Sequence, residues 1–143
     1  MQVRNRYWTS STLFLIVLLV IFGDRNAVTF PAEGPARVEV VIRNSAYEVQ
    51  GKPLTPGVPA MIVLRNVDQV EHGFTSLFLQ EVDVRVESGG SATLGKGIRG
   101  VHIAPGAEMR ILFIPPRPGK FTFICDLHPQ MKGEVLLLSI GAV

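Results

Sequence analysis

The chain has 143 residues, 47% of them hydrophobic and 18% charged, with 14 glycines, 10 prolines and a formal charge of +2. That length allows one ordinary domain, the composition excludes disorder, and the charge is too small to argue for nucleic acid or an acidic surface as partner. The single cysteine excludes an intramolecular disulfide and any zinc site that needs two thiolates from this chain.

MQVRNRYWTSSTLFLIVLLVIFGDR opens with Arg4 and Arg6, then carries no charge from Tyr7 to Gly23. Leu13 to Phe22 is wholly apolar, and Asp24 and Arg25 close the run. A positive start followed by an apolar stretch is an export pattern. The 17 uncharged residues lie at the short end of what spans a bilayer as a helix. Arg25-Asn26-Ala27 lacks the small residues a cleavage site wants. Residues 1–23 are therefore expected to form one N-terminal hydrophobic helix, a retained anchor through 7–23 or else a cleaved signal peptide. The basic end stays inside in both cases, so the remainder is expected outside the cytoplasm, in a periplasm or on the outer face of the cytoplasmic membrane. Residues 24–36, with Pro31, Gly34 and Pro35 as breakers, read as a linker.

From Arg37 onward the pattern changes to short runs of period two. RVEVVIRN (37–44) sets Val38, Val40 and Ile42 against Arg37, Glu39, Val41 and Arg43. PGVPAMIVLRN (56–66) places a strand behind a Pro-Gly turn, and HGFTSLFLQEVDVRVE (72–87) gives one or two more, with Val82, Val84 and Val86 on one face. PGAEMRILFIPP (105–116), GKFTFICD (119–126) and GEVLLLSI (133–140) supply the rest. No helical stripe interrupts them. Short strands separated by glycine and proline predict an all-β sandwich or small barrel over residues 37–143. SGGSATLGKGIRG (88–100) is glycine-rich with little to bury, and reads as an exposed, mobile insertion.

Between the last two strands lies CDLHPQM, which holds Cys125, His128 and Met131. A turn can wrap three side chains around one point, whereas a straight strand alternates its faces. Thiolate, imidazole and thioether form a soft donor set that selects copper over magnesium, calcium or manganese. A thiolate with two imidazoles and a distant methionine is the blue-copper arrangement. The second imidazole must come from His72, at the start of a strand in NVDQVEHGF, or from His102, beyond the glycine-rich segment. Position favours His72, which sits between two well-formed strands.

CDLHPQMKGEV together with NVDQVEHGF resembles the cupredoxins, the small blue-copper proteins, with the loop length of the amicyanin type. The resemblance covers roughly residues 37–143 and includes Asn66, six residues before His72. It implies a Greek-key β-sandwich holding one mononuclear type 1 copper, with His72, Cys125, His128 and Met131 as ligands. It further implies that Asn66 ties the two ligand loops together. The sequence departs from the pattern at Gly73, where amicyanin-like proteins carry asparagine, so one tie beside the metal is expected to be missing. The 53-residue span from His72 to Cys125 is also longer than in that group.

The expected function is to carry single electrons between redox proteins met transiently. Contact is expected at His128 and Pro129, with Gly73 and Phe74 nearby, and the membrane is met only through the N-terminal segment. No small-molecule substrate and no turnover are expected. The alternative is a carrier that delivers copper to an oxidase or an export system. A nitrite-reductase-like enzyme would need a second such domain and more histidines. A binuclear copper site would need a second cysteine in the loop.

Overall fold

The computed structural model describes residues 34–137. The expected signal segment 1–23, most of the linker 24–36 and the end of the last predicted strand lie outside those residues. Among the described residues no helix is long and apolar enough to cross a membrane.

Among the described residues ten strands run in order: β1 Ala36–Arg43, β2 Ala46–Gly51, β3 Ala60–Asn66, β4 His72–Thr75, β5 Asp83–Ser88, β6 Ser91–Lys96, β7 Gly100–Ile103, β8 Glu108–Phe113, β9 Gly119–Ile124 and β10 Lys132–Leu137. A single 3-10 turn, Leu77–Gln80, separates β4 from β5. One sheet has the order β2-β1-β3-β8-β5-β6 and the other β10-β9-β4-β7. The pairing β1–β3 is parallel, and the other strand pairs are antiparallel. This is the expected Greek-key β-sandwich.

The alternation seen in the sequence fixes which side of each strand faces inward, because successive side chains point to opposite faces. Val38, Val40 and Ile42 of β1 are buried, as are Ile62 and Leu64 of β3 and Phe121 and Phe123 of β9. Two groups of aromatic rings bridge the sheets. Phe78 packs on Phe113 and Phe121, each with ring centroids 5.1 Å apart. Phe123 lies 4.4 Å from Phe74 and 4.9 Å from Tyr47.

The segment 88–100 differs from its expected form. Residues 91–96 are a regular strand, β6, paired with β5 from Asp83↔Lys96 to Ser88↔Ser91. Gly100 already belongs to β7. The sequence hides this because β6 is an edge strand with no buried residue, so its backbone pairs without an inward apolar face to announce it. Gly89 and Gly90, both at positive φ, make the two-residue turn of the hairpin. The segment is exposed, as expected, with Leu94 81% accessible.

β2 went unrecognised for the same reason: only Tyr47 in it is partly buried. Asn44 and Ser45, at φ 52° and 55°, join it to β1 by a two-residue turn with both central residues left-handed.

Candidate metal centre

The two segments that carry the candidate ligands meet at one end of the sandwich. Cys125 follows the last residue of β9, and Lys132 opens β10. The seven-residue connection, 125–131, closes on itself. The Met131 amide donates to the His128 carbonyl at 2.9 Å, and the Cys125 amide donates to the Met131 carbonyl at 3.2 Å. Cys125 and Met131 are thereby turned inward and buried, while His128 is left half-buried.

His72 opens β4 and is wholly buried. β4 pairs with β9 at only one position, Thr75↔Ile124, and the gap beyond it is where the site forms. The ligand-capable atoms of His72, Cys125 and His128 lie within 4.8 Å of one another. Cys125 Sγ is 3.5 Å from His128 Nδ1, and the two imidazole rings have centroids 4.8 Å apart. Among the described residues, this is the one His/Cys/Asp/Glu group able to surround an ion.

His72 Nε2 donates to Asp68 Oδ2 at 2.9 Å. Nδ1 is buried with no hydrogen-bond partner. A buried ring nitrogen without a partner costs free energy unless something fills its lone pair. The carboxylate beyond the other nitrogen fixes the tautomer, as outer partners of metal-bound histidines do. Asp68 also accepts the amides of Asn44 at 2.7 Å and Ser45 at 2.9 Å. Ser45's amide first, then that of Asn44 and the His72 ring, hold its carboxyl below the usual range. Sequence reasoning missed Asp68. Its place four residues before a candidate ligand was a usable signal, but its other partners sit on a turn that only the fold brings near.

Asn66 is completely buried. Its amide nitrogen donates to the carbonyls of Val70 (2.8 Å), Ile103 (2.9 Å) and Ala104 (3.2 Å), and its oxygen accepts from the Asp68 amide at 3.0 Å. These bonds shape the 67–71 loop and fasten it to the exit of β7. The expected direct tie from Asn66 to the Cys125–Met131 loop is not among them.

The connection between the two ligand segments runs through Gly73, whose amide donates to Cys125 Sγ at 3.1 Å. A backbone donor needs no side chain, so this bond does not depend on which side chain stands at position 73. The space beside it is used: a Cβ on Gly73 would lie 1.8 Å from Asp126 Oδ1. Asp126 in turn accepts from His102 Nε2 at 2.9 Å, and Glu71 stands 3.9 Å from the other ring nitrogen. Asp126, more than burial, holds the exposed His102 imidazole above its usual range, and the imidazole holds the Asp126 carboxyl below its own. His102 therefore lies on the surface beside the site, and His72 supplies the second imidazole of the group.

Tyr47 of β2 reaches the same place from the other sheet, its hydroxyl donating to the Gly73 carbonyl. Burial first, and then the adjoining Cys125 sulfur, push its phenol well above the usual range. Outward from the site, Leu127 and Pro129 are exposed, as are Val67 and Val70 in the loop before His72. Gly73 and Phe74, expected at this surface, are buried. The rings of Phe74 and Phe123 stack behind the site instead.

Soft sulfur, two imidazoles, a buried unpartnered nitrogen and a lack of carboxylate in the inner group fit copper. The sequence model of the cupredoxin-like domain matches residues 11–137. No curated protein matches the sequence. Among solved structures, a copper nitrite reductase from Nitrosomonas europaea is similar with TM-score 0.53 and 11% identity, covering 76% of this chain and 49% of its own. A multicopper oxidase is similar with TM-score 0.50 and 16% identity, covering 71% and 43%. This chain thus spans less than half of either enzyme. A reduced Cu(I) form of an amicyanin variant aligns over 75% of this chain and 87% of its own, at 18% identity and TM-score 0.42.

Proposed function

Since this chain belongs to the family of cupredoxin-like domains, we propose that it carries single electrons between proteins on a copper ion held by His72, Cys125, His128 and Met131. Copper is the cofactor that the family and the His72–Cys125–His128 group both call for. When bound, it supplies a one-electron couple. The chain's own residues do the rest. Cys125 and His72 hold buried donors, and Asp68 and Gly73 orient them by hydrogen bonds. Both ligand segments are anchored to paired strands, so the donor positions are set before any ion arrives. A cage of this kind changes little when the metal's charge changes, which keeps the barrier to electron exchange low.

The observation that carries this reading is the buried Nδ1 of His72, which has no hydrogen-bond partner, on a residue whose ligand atom lies within 4.8 Å of those of Cys125 and His128. The half-buried His128 offers the way out. With exposed Leu127 and Pro129 beside it, it forms the contact for a partner protein. Such an encounter is small and short-lived. The N-terminal segment, through residues 7–23, would keep the domain on the outer face of the cytoplasmic membrane or export it to a periplasm. Separating the membranes of expressing cells would check this.

Cycling the copper-loaded protein between oxidised and reduced states beside a Cu(I) chelator tests the function. Electron carriage requires reversible cycling with the metal retained. Loss of the metal to the chelator in the reduced state would instead favour copper delivery.

A further inference from the structure

Gly73 occupies the point where β4 has parted from β9, and both of its backbone polar groups are met by side chains. Its amide donates to Cys125 Sγ at 3.1 Å, and its carbonyl accepts from the Tyr47 hydroxyl. Buried backbone groups must be paired. β7 flanks Gly73 on one side, with His102 opposite it, and on the β9 side, where β4 keeps only the Thr75↔Ile124 pair, these two contacts hold the Gly73 backbone. Tyr47 is itself well placed to hold still. It stands on β2, at the far edge of the six-stranded sheet, and its ring packs edge-on against Phe123 and Phe74 of the other sheet. A single side chain thus spans from one sheet to the backbone that touches the metal-binding sulfur.

We propose that Tyr47 is a positioning residue that, by gripping the Gly73 carbonyl, holds the Gly73 amide on the Cys125 sulfur and so tunes the copper's potential. The inference rests on the copper-binding role of Cys125 given above. A hydrogen bond to a thiolate sulfur withdraws electron density from it and disfavours Cu(II) relative to Cu(I). Loosening Gly73 therefore lowers the reduction potential. The contribution of Tyr47 is geometric: it neither touches the metal nor carries charge.

The test compares wild type, Tyr47→Phe and protein with 3-fluorotyrosine at position 47, each copper-loaded and copper-free. Phenylalanine keeps the ring packing and removes the donor; the fluorinated phenol is a stronger donor. Tyr47→Phe should move the one-electron equilibrium roughly threefold towards Cu(II), ~30 mV at 59 mV per tenfold change, and fluorotyrosine should move it the other way. In the copper-free protein, the Gly73 amide should exchange with solvent faster in Tyr47→Phe while neighbouring β9 amides keep their protection. Should Tyr47→Phe not fold, the fluorotyrosine protein still decides by the sign of its shift. Unchanged potentials, shifts of one sign in both variants, or protection lost equally across β4 and β9 would overturn the proposal. The copper-free exchange experiment reads the grip even if the wild-type protein binds no copper, so failure of the two readings is distinguishable.

Discussion

His72 and Asp68 form a 2.9 Å Nε2–Oδ2 pair in which the histidine is fully buried and its other nitrogen has no partner. The same carboxylate accepts two amides of the β1–β2 turn, so one side chain couples the edge of a sheet to the orientation of an imidazole. The proposed copper ligand is thus aligned by a residue that touches no other proposed ligand in the hydrogen-bond pattern.

Replacing Asp68 by alanine should weaken copper binding roughly 10- to 100-fold, the usual effect of removing an outer partner of a metal-bound histidine. Competition against a chelator of known affinity measures it. An unchanged affinity would mean that the Asn66 bonds alone position His72.

Gly73→Ala should break the contact between His102 and Asp126, because the added methyl would occupy the place of Asp126 Oδ1. The carboxylate can swing outward, so the domain should still fold. Nuclear magnetic resonance titration of His102 should show its pKa falling back towards the ordinary imidazole value. A His102 that titrates as in the wild type would show that Asp126 keeps its partner by another route.

The His102–Asp126 pair also gives stability a pH dependence. The imidazole is raised, so its contribution is complete below the unfolded histidine pKa and is lost as pH rises through the folded value. The carboxyl is lowered, so its contribution is present above the unfolded aspartate pKa and lost as pH falls through the folded value. The two overlap fully between about pH 4 and pH 6.5, from the reference pKa values. In copper-free protein, the stability difference between wild type and His102→Ala should be largest in that window and shrink on both sides. Both groups are about half exposed, so the effect is small.

Gly133→Ala should destabilise the domain by about 1–3 kcal/mol through overpacking. A Cβ there would lie 2.3 Å from ring atoms of Phe123, which is held between Tyr47 and Phe74. Denaturant unfolding measures the loss. Equal stability would show that the ring has room to turn.

The parts of this molecule that could be read from the chain are those whose chemistry is local. Cys125, His128 and Met131 stand within one turn, and the alternation in β1, β3 and β9 states which face is inward. His72 could be placed by its setting between strands. What escaped was assembled by the fold. Tyr47 is the single inward residue of an edge strand, too little to form a pattern. Asp68 gains its meaning from the Asn44–Ser45 turn, more than 20 residues away in sequence. β6 escaped because backbone pairing stabilises an edge strand without any apolar face, and glycine content then reads as irregularity. At Gly73 the sequence drew attention to an absent side chain, whereas the bond the fold makes there comes from the main chain, and main-chain donors are the same in every residue but proline.

The optical and electron paramagnetic resonance spectra of copper-loaded wild type and Cys125→Ser test the central claim most directly. The account predicts an intense visible sulfur-to-copper band with the narrow copper splitting of a thiolate-bound ion in the wild type. The serine variant should remain folded without that band. A wild-type protein that binds copper without colour, or a serine variant that keeps the band, would contradict it.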